Sequence, residues 1–196
     1  MLVTILAVNN YPTRERFERL ARSLRDNGAA VASIEWDQAS TERFNAHDGV
    51  VLSGSPDMMS EEETQAKFAA EIDAIRDSDT PVLGVCFGHQ MIAHAFGAEV
   101  VKDGKHVLEM VETRVLKEDP LFRGLPRSLM LLESRHEVVK SLPKGFRLLA
   151  TSDVSRIATM KHETRPLYGV QFHPERYTRE NPDGRRVIGN FLRLLR

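Results

Sequence analysis

The chain has 196 residues, a length that suits one domain with a full hydrophobic core. Hydrophobic residues make up 41% and charged residues 28%, which is ordinary for a soluble globular protein. Because 27 basic residues are balanced by 28 acidic ones, the net charge of −1 predicts no general attraction to nucleic acid or to a membrane. We expect residues 1–196 to form a single domain, and one cysteine without a basic, signal-like start predicts a cytoplasmic protein.

The first part of the chain alternates strand and helix patterns. Asn27-Gly28 is typical of a helix end, and Gly54-Ser55-Pro56 is typical of a turn after a strand. We predict strands over residues 2–8, 30–36, 48–53 and 81–85, and helices over residues 14–26 and 61–77. This order favours an α/β fold, in which an open, mainly parallel sheet has helices on both faces.

Residues 98–165 have a different pattern, with short apolar runs separated by turn signals such as Pro143-Lys144-Gly145. We predict strands over residues 107–116, 129–132, 146–150 and 157–160. We expect them to be antiparallel and to flank the main sheet. A last helix is predicted over residues 184–196, and its arginines are interpreted as a solvated face rather than a nucleic-acid site.

The segment Gly84-Val85-Cys86-Phe87-Gly88 follows an apolar run and precedes a helix-like segment over 91–96. A strand, a tight turn and a helix in this order are typical of a nucleophile elbow. The two glycines avoid crowding where the strand meets the helix. Cys86 is the only cysteine, and a helix N-terminus favours the reactive thiolate form of a cysteine. We therefore interpret Cys86 as a nucleophile rather than an inert buried thiol.

A candidate base lies near the end of the sequence, where another apolar run leads into His173-Pro174-Glu175. Residues i and i+2 of an extended segment point to the same side, so the imidazole and the carboxylate can meet. A carboxylate on one ring nitrogen fixes the tautomer and leaves the other nitrogen to take a thiol proton. The pattern predicts a Cys86, His173, Glu175 triad.

Together these motifs resemble the class I (triad) glutamine amidotransferase family, and the resemblance covers nearly the whole chain. The matching segments are Val51-Leu52-Ser53-Gly54-Ser55-Pro56, Gly88-His89-Gln90 and Gly169-Val170-Gln171-Phe172-His173-Pro174-Glu175. In that family the cysteine attacks the side-chain amide of glutamine, forms a thioester and releases ammonia for a synthetase. The resemblance implies six functional residues: the catalytic Cys86, His173 and Glu175, the oxyanion donors Gly54 and Phe87, and the substrate contact Gln90.

Within the family, residues 154–169 are most similar to the separate amidotransferase subunit of archaeal-type GMP synthase. This resemblance implies L-glutamine as substrate and a synthetase of the ATP-pyrophosphatase type as partner. We expect no cofactor in this chain, since ATP and Mg²⁺ would belong to the partner and no phosphate-binding Gly-x-x-x-x-Gly-Lys motif is present. The same resemblance places Ser134, Arg135 and His136 among the residues that bind glutamine, in a predicted loop over 133–138.

Two segments depart from the pattern of that subunit. Residues 8–12 read Val-Asn-Asn-Tyr-Pro where the subunit has Asp-x-Gly-Gly-Gln, and His136 replaces an aspartate in the 133–138 segment. The alternatives are therefore an amidotransferase for another synthetase, or a γ-glutamyl peptide hydrolase that uses the same triad without a partner. A non-catalytic regulatory module is disfavoured because the triad is complete. No metal site is predicted, and five histidines are interpreted as surface or satisfied residues: His47, His89, His94, His106 and His162.

Overall fold

The computed structural model describes residues 2–196, and in this part of the chain nine strands form one sheet. The strands are β1 (Val3–Asn9), β2 (Ala29–Glu35), β3 (Gly49–Leu52), β4 (Val82–Val85), β5 (Val100–Val115), β6 (Ser128–Val139), β7 (Phe146–Ser152), β8 (Thr159–His162) and β9 (Leu167–Val170). The α-helices are α1 (Arg14–Asp26), α2 (Thr41–Asn45), α3 (Glu62–Lys67), α4 (Ala69–Asp77), α5 (Phe87–Ala95) and α6 (Asp183–Arg193).

The strand order in the sheet is β2-β1-β3-β4-β9-β8-β7-β5-β6. The first five strands are parallel, and each contact from β9 to β6 is antiparallel. The predicted α/β class with a mainly parallel sheet and extra antiparallel strands is confirmed. The antiparallel strands continue the same sheet, so they are not a separate layer beside it.

Side chains of β1 alternate between two cores, as expected for a strand with helices on both faces. Ile5 and Ala7 pack in the core that contains α1 and α6, whereas Leu6 and Val8 pack in the core that contains α4 and α5. None of the helices within residues 2–196 combines the length and the apolar character needed to cross a membrane.

The predicted helix over 61–77 is divided in two at Phe68. The ring of Phe68 is fully buried between Trp36 and Phe87, with ring centroids 5.1 and 4.9 Å away. The helical pattern alone did not predict this break, because Phe68 also fits the apolar stripe of a continuous helix.

The prediction of a loop over 133–138 was wrong, since these residues lie within β6. β6 pairs with β5, which is also longer than predicted, and the register shifts between Lys102 and Val107. The buried face of β6 continues as Glu133, Arg135 and Glu137 after two leucines. Charged residues on a buried face hide the alternation of hydrophobicity by which a strand is recognised.

Candidate active site

The cysteine and histidine motifs follow two neighbouring strands. β4 and β9 pair in parallel, with Val85 opposite Val170, and the amide of Cys86 donates to the carbonyl of Val170 at 2.8 Å. His173 lies three residues after the end of β9. The site therefore lies at the carboxyl ends of the parallel strands, where ligands bind in open α/β sheets.

Cys86 adopts φ = 51°, and it is the single non-glycine residue with positive φ in the described part of the chain. It lies directly before α5, which starts at Phe87. A β-carbon on Gly84 would overlap the backbone of Gly88, and one on Gly88 would lie 2.8 Å from Cβ of Leu52. This strained, closely packed turn has the form of a nucleophile elbow.

The imidazole of His173 is buried beside the acidic groups of the site. Its Nδ1 lies 2.8 Å from Oε1 of Glu175, and both side chains are 5% exposed. Burial by itself lowers the pKa of His173, but the negative charges of Glu175 and Cys86 and hydrogen bonds to both side chains raise it above its ordinary value. The arrangement can hold a proton on His173 next to the sulfur, as a thiol–imidazole pair requires.

The two residues predicted as oxyanion donors, Gly54 and Phe87, lie at the same end of the sheet as Cys86. Gly54 follows β3, and a β-carbon on this residue would lie 3.1 Å from Cε1 of His173, so its backbone is close to the imidazole. Phe87 is the first residue of α5, where a helix leaves its N–H groups without intrahelical partners. The structure thus brings both predicted donors to the end of the sheet that carries Cys86.

The main chain of β6 forms a third side of the site. Sγ of Cys86 lies 3.3 Å from the carbonyl oxygen of Ser134, and the amide of His173 donates to the carbonyl of Leu132 at 2.8 Å. Nε2 of Gln90 donates to the carbonyl of Glu137 at 2.9 Å. β6 is the edge strand of the sheet, and the carbonyls of Leu132 and Ser134, two residues apart, point to the same side, toward the site.

Gln90 is 4% exposed and lies in the site rather than on the helix surface. Its Nε2 also lies 3.3 Å from Oε1 of Gln171, whose Nε2 lies 3.6 Å from Sγ of Cys86. Gln171 was not predicted as a site residue. Its position two residues before His173, on the strand end that carries the base, is the sequence signal that could have identified it.

A cavity of about 430 Å³ opens over these groups. This volume is in the range of small-molecule sites. Among the residues that line it are Cys86, Gln90, Ser134, His136, His173 and Glu175. His136 is exposed and stacks on His106, with ring centroids 4.1 Å apart.

Each nitrogen of the Arg135 guanidinium is bonded within the protein, although the residue also lines the cavity, so the structure favours a supporting role over the predicted substrate contact. Its side chain is 1% exposed and pairs with Asp103 at 2.6 Å and Glu133 at 3.2 Å. It also donates to the hydroxyl of Ser155 at 2.9 Å and to the carbonyl of Val154. This buried network joins β6 to the segments around residues 103 and 155, and so supports the strand that contacts Cys86.

His89 differs from the expectation of a surface or satisfied residue. It is fully buried, and neither ring nitrogen makes a hydrogen bond within the described residues. Burial lowers its pKa to about 4, although backbone groups of Gly169 and Ile157 act in the opposite direction. The ring is therefore neutral, and it packs against Gly169, where a β-carbon would lie 2.5 Å from Nδ1.

Tyr11 is a second residue of the site that the sequence did not identify. Its hydroxyl lies against Gly54, where it would collide with a β-carbon, and the ring lines the cavity. Burial and the charges of Glu175 and Cys86 raise its pKa, so the phenol stays protonated and can donate a hydrogen bond. The departure of residues 8–12 from the amidotransferase pattern was the available signal.

Comparison with known proteins identifies the family of this chain. The sequence model of class-I glutamine amidotransferases matches residues 11–194. The chain belongs to this family. As a class-I glutamine amidotransferase it is an enzyme, and the amidotransferase fold extends over both halves of the sheet.

Several relatives of this amidotransferase are named as a subunit of glutamine-hydrolysing GMP synthase. The protein from Archaeoglobus fulgidus is 36% identical over 173 residues, which is 88% of this chain and 89% of the relative. The protein from Thermococcus kodakarensis is 41% identical over 146 residues, 74% of each chain.

Solved structures show the same fold. A candidate GMP synthase subunit from Thermoplasma acidophilum aligns with a TM-score of 0.87 and 31% identity, over 100% of this chain and 94% of that one. A glutamine amidotransferase from Thermotoga maritima aligns with a TM-score of 0.71 and 22% identity, over 89% and 77% of the two chains.

Proposed function

We propose that this amidotransferase hydrolyses L-glutamine to glutamate and ammonia at Cys86, and that residues 1–196 work as one domain. The observation that carries the proposal is the placement of Cys86 and the His173–Glu175 pair on the ends of two adjacent parallel strands. The cavity above them is large enough for an amino acid, and family membership makes glutamine the expected amide.

The proposed reaction has two steps, formation of a thioester and its hydrolysis. Sγ of Cys86 attacks the side-chain amide carbon of glutamine while His173 holds the thiol proton, and the oxyanion receives hydrogen bonds from the amides of Gly54 and Phe87. The tetrahedral intermediate collapses to a thioester when His173 gives that proton to the departing ammonia. Water then attacks the thioester with His173 as base, and glutamate leaves as the thiol is restored.

Glu175 has an orienting role in this scheme. Its carboxylate accepts from Nδ1 of His173, so the other ring nitrogen serves the sulfur, and its charge stabilises the imidazolium. Gln90 is proposed to contact the amino-acid end of the substrate, together with the backbone around Ser134 and His136.

We further propose that the ammonia is delivered to a separate synthetase that aminates xanthosine monophosphate to GMP. The names of the relatives, which are subunits of GMP synthase, support this partner. ATP and Mg²⁺ would then bind to the synthetase, and the exposed rim of the cavity around His106 and His136 is the proposed contact with it.

The test compares glutaminase activity of the wild type with that of Cys86→Ala and of Cys86→Ser, each with circular dichroism to establish folding. We expect ammonia release from glutamine by the wild type and loss of activity in both variants. Activity that survives in a folded Cys86→Ala protein would contradict the nucleophile assignment.

The partner is tested by adding the synthetase subunit of an archaeal GMP synthase with ATP, Mg²⁺ and xanthosine monophosphate. We expect kcat/KM for glutamine to rise and GMP to form. High activity of the isolated chain that is unchanged by the synthetase and extends to γ-glutamyl peptides would favour the hydrolase instead.

A further inference from the structure

An acidic side chain is fully buried behind the loop that carries Gly54. Glu71 of α4 is 0% exposed, and its Oε1 accepts a hydrogen bond from Nδ2 of Asn10 at 3.1 Å. Oε2 of Glu71 has no partner among the described residues, and neither has Oδ1 of Asn10. The two unpartnered atoms belong to the same two side chains, and both are acceptors if the carboxyl is ionised.

A buried acceptor without a donor lowers the stability of the folded state, and a buried carboxylate without a cation lowers it further. A proton on Oε2 would remove the charge and provide a donor for Oδ1 of Asn10, the other atom without a partner. Burial raises the pKa of Glu71 to about 8, while the hydrogen bond from Asn10 acts in the opposite direction. Burial thus favours the protonated form of the carboxyl at neutral pH.

Among residues 2–196, burial and the hydrogen bond from Asn10 are the causes of the pKa shift of Glu71, with no contribution from a charged neighbour. The elements that pack most closely against α4 are α2, α5 and the short helix Trp36–Gln38. Their titratable residues are Asp37, Glu42, Arg43, His89 and His94.

Asn10 connects Glu71 to the proposed oxyanion loop. Its backbone amide donates to Oγ of Ser53 at 2.8 Å, and its Nδ2 lies 3.5 Å from the carbonyl of Ser53. The hydroxyl of Ser53 donates in turn to the carbonyl of Gly54 at 3.0 Å. Asn10 and Ser53 are both buried, so the connection from α4 to Gly54 is closed to water.

We propose that Glu71 is a positioning residue that acts as a neutral carboxylic acid, with Oε2–H donating to Oδ1 of Asn10 while Oε1 accepts from its Nδ2. This pair fixes Asn10, which holds Ser53 and thereby orients the N–H of Gly54 toward the oxyanion. The inference rests on the proposed function for its catalytic consequence, whereas the protonated pair is a property of the folded protein alone.

The test compares Glu71→Gln with Glu71→Leu. A glutamine amide offers one donor and one acceptor in the places of the acid, so we expect kcat within about twofold of the wild type at pH 7. Leucine removes both groups, and we expect kcat to fall about tenfold or more with little change in KM, since one donor of an oxyanion hole is worth ~10²–10³ in rate. Equal losses in the two variants would overturn the proposal.

A pH profile separates positioning from folding, including the case in which Glu71→Leu fails to fold. Above about pH 8 the wild-type carboxyl ionises and the donor is lost, whereas glutamine does not titrate. The ratio of kcat for Glu71→Gln to kcat for the wild type should therefore rise from neutral pH to a pH well above the pKa of Glu71. A constant ratio would contradict the role of the proton.

A third measurement is independent of catalysis. Carboxyl carbon NMR of protein labelled at glutamate, with Glu71→Gln for assignment, should show one glutamate that is protonated at neutral pH and titrates near pH 8. A Glu71 signal that is already ionised at mildly acidic pH would overturn the proposal even if the enzyme is active. A protonated Glu71 in a protein without glutaminase activity would contradict the proposed glutamine hydrolysis and would still support the Glu71–Asn10 hydrogen-bonded pair.

Discussion

Nδ1 of His173 and Oε1 of Glu175 are 2.8 Å apart in a buried part of the site, two residues from each other along the chain. His173 lies directly before the short 3-10 helix Pro174–Arg176, so the two side chains meet at the start of a helical turn and not along an extended segment, as the sequence had suggested. The carboxylate thereby sets which ring nitrogen of the histidine faces the sulfur of Cys86.

Glu175→Gln is expected to lower kcat for glutamine hydrolysis less than His173→Ala. The glutamine still offers an acceptor to Nδ1, but it removes the charge that stabilises the imidazolium. Alanine removes the proton carrier itself, a loss of ~10²–10⁴. Steady-state kinetics with both variants folded measure the ranking, and the reverse order would contradict these roles.

Covalent labelling should add one molecule of a glutamine-like chloro ketone to the protein, at Cys86. The reagent needs the sulfur to lie open to the cavity and the imidazole to take its proton, so His173→Ala should react more slowly at neutral pH. Intact mass and peptide mapping measure the adduct, with Cys86→Ser as the control. Absence of an adduct in the wild type would indicate an inert buried thiol.

Gly84→Ala should destabilise the protein by about 1–3 kcal/mol, a typical cost of overpacking. The added β-carbon would lie 2.5 Å from the carbonyl carbon of Gly88 and 2.7 Å from Cδ1 of Ile92. The matched control is Gly189→Ala in α6, whose β-carbon would come no closer than 3.3 Å to a neighbour. There we expect no loss, or a gain of up to about 1 kcal/mol from helix propensity. Urea unfolding followed by circular dichroism compares the two, and equal midpoints would be the contrary result.

His89 should make the fold sensitive to acid. Its pKa is lowered from 6.5 to about 4, so between these values the unfolded chain binds a proton that the native state does not. The free energy of unfolding should therefore decrease as the pH falls from about 6.5 to about 4. His89→Met, which cannot titrate, should lose less over the same interval. Parallel slopes in urea titrations at several pH values would show that His89 is not the cause.

The convergence of Gly54, Cys86 and His173 could be predicted from the sequence because each follows an apolar run that is typical of a strand. Parallel strands present their carboxyl ends at one edge, so residues far apart in the chain meet there. The order of the motifs and the β-α-β pattern were sufficient for this part of the fold.

The contribution of β6 could not be predicted in the same way. Its buried face carries Glu133 and Arg135, whose burial depends on Asp103 and Ser155, partners that lie 20 or more residues away from Arg135. Alternation of apolar and polar residues identifies a strand only when its buried face is apolar. Glu71 was missed for the same reason, since an acidic residue in an amphipathic helix is normally assigned to solvent.

The contact between His173 and Leu132 also shapes the antiparallel half of the sheet. β6 lies four places beyond β9 in strand order, yet the carbonyl of Leu132 reaches the amide of a residue that follows β9. The edge strand β6 therefore also contacts the segment that follows β9, and this contact runs through the residues proposed for catalysis. Separation of β6 from this segment, by heat, denaturant or a docking protein, breaks the hydrogen bond of the His173 amide. Hydrogen exchange at the amide of His173 would consequently report whether β6 is in contact with the site.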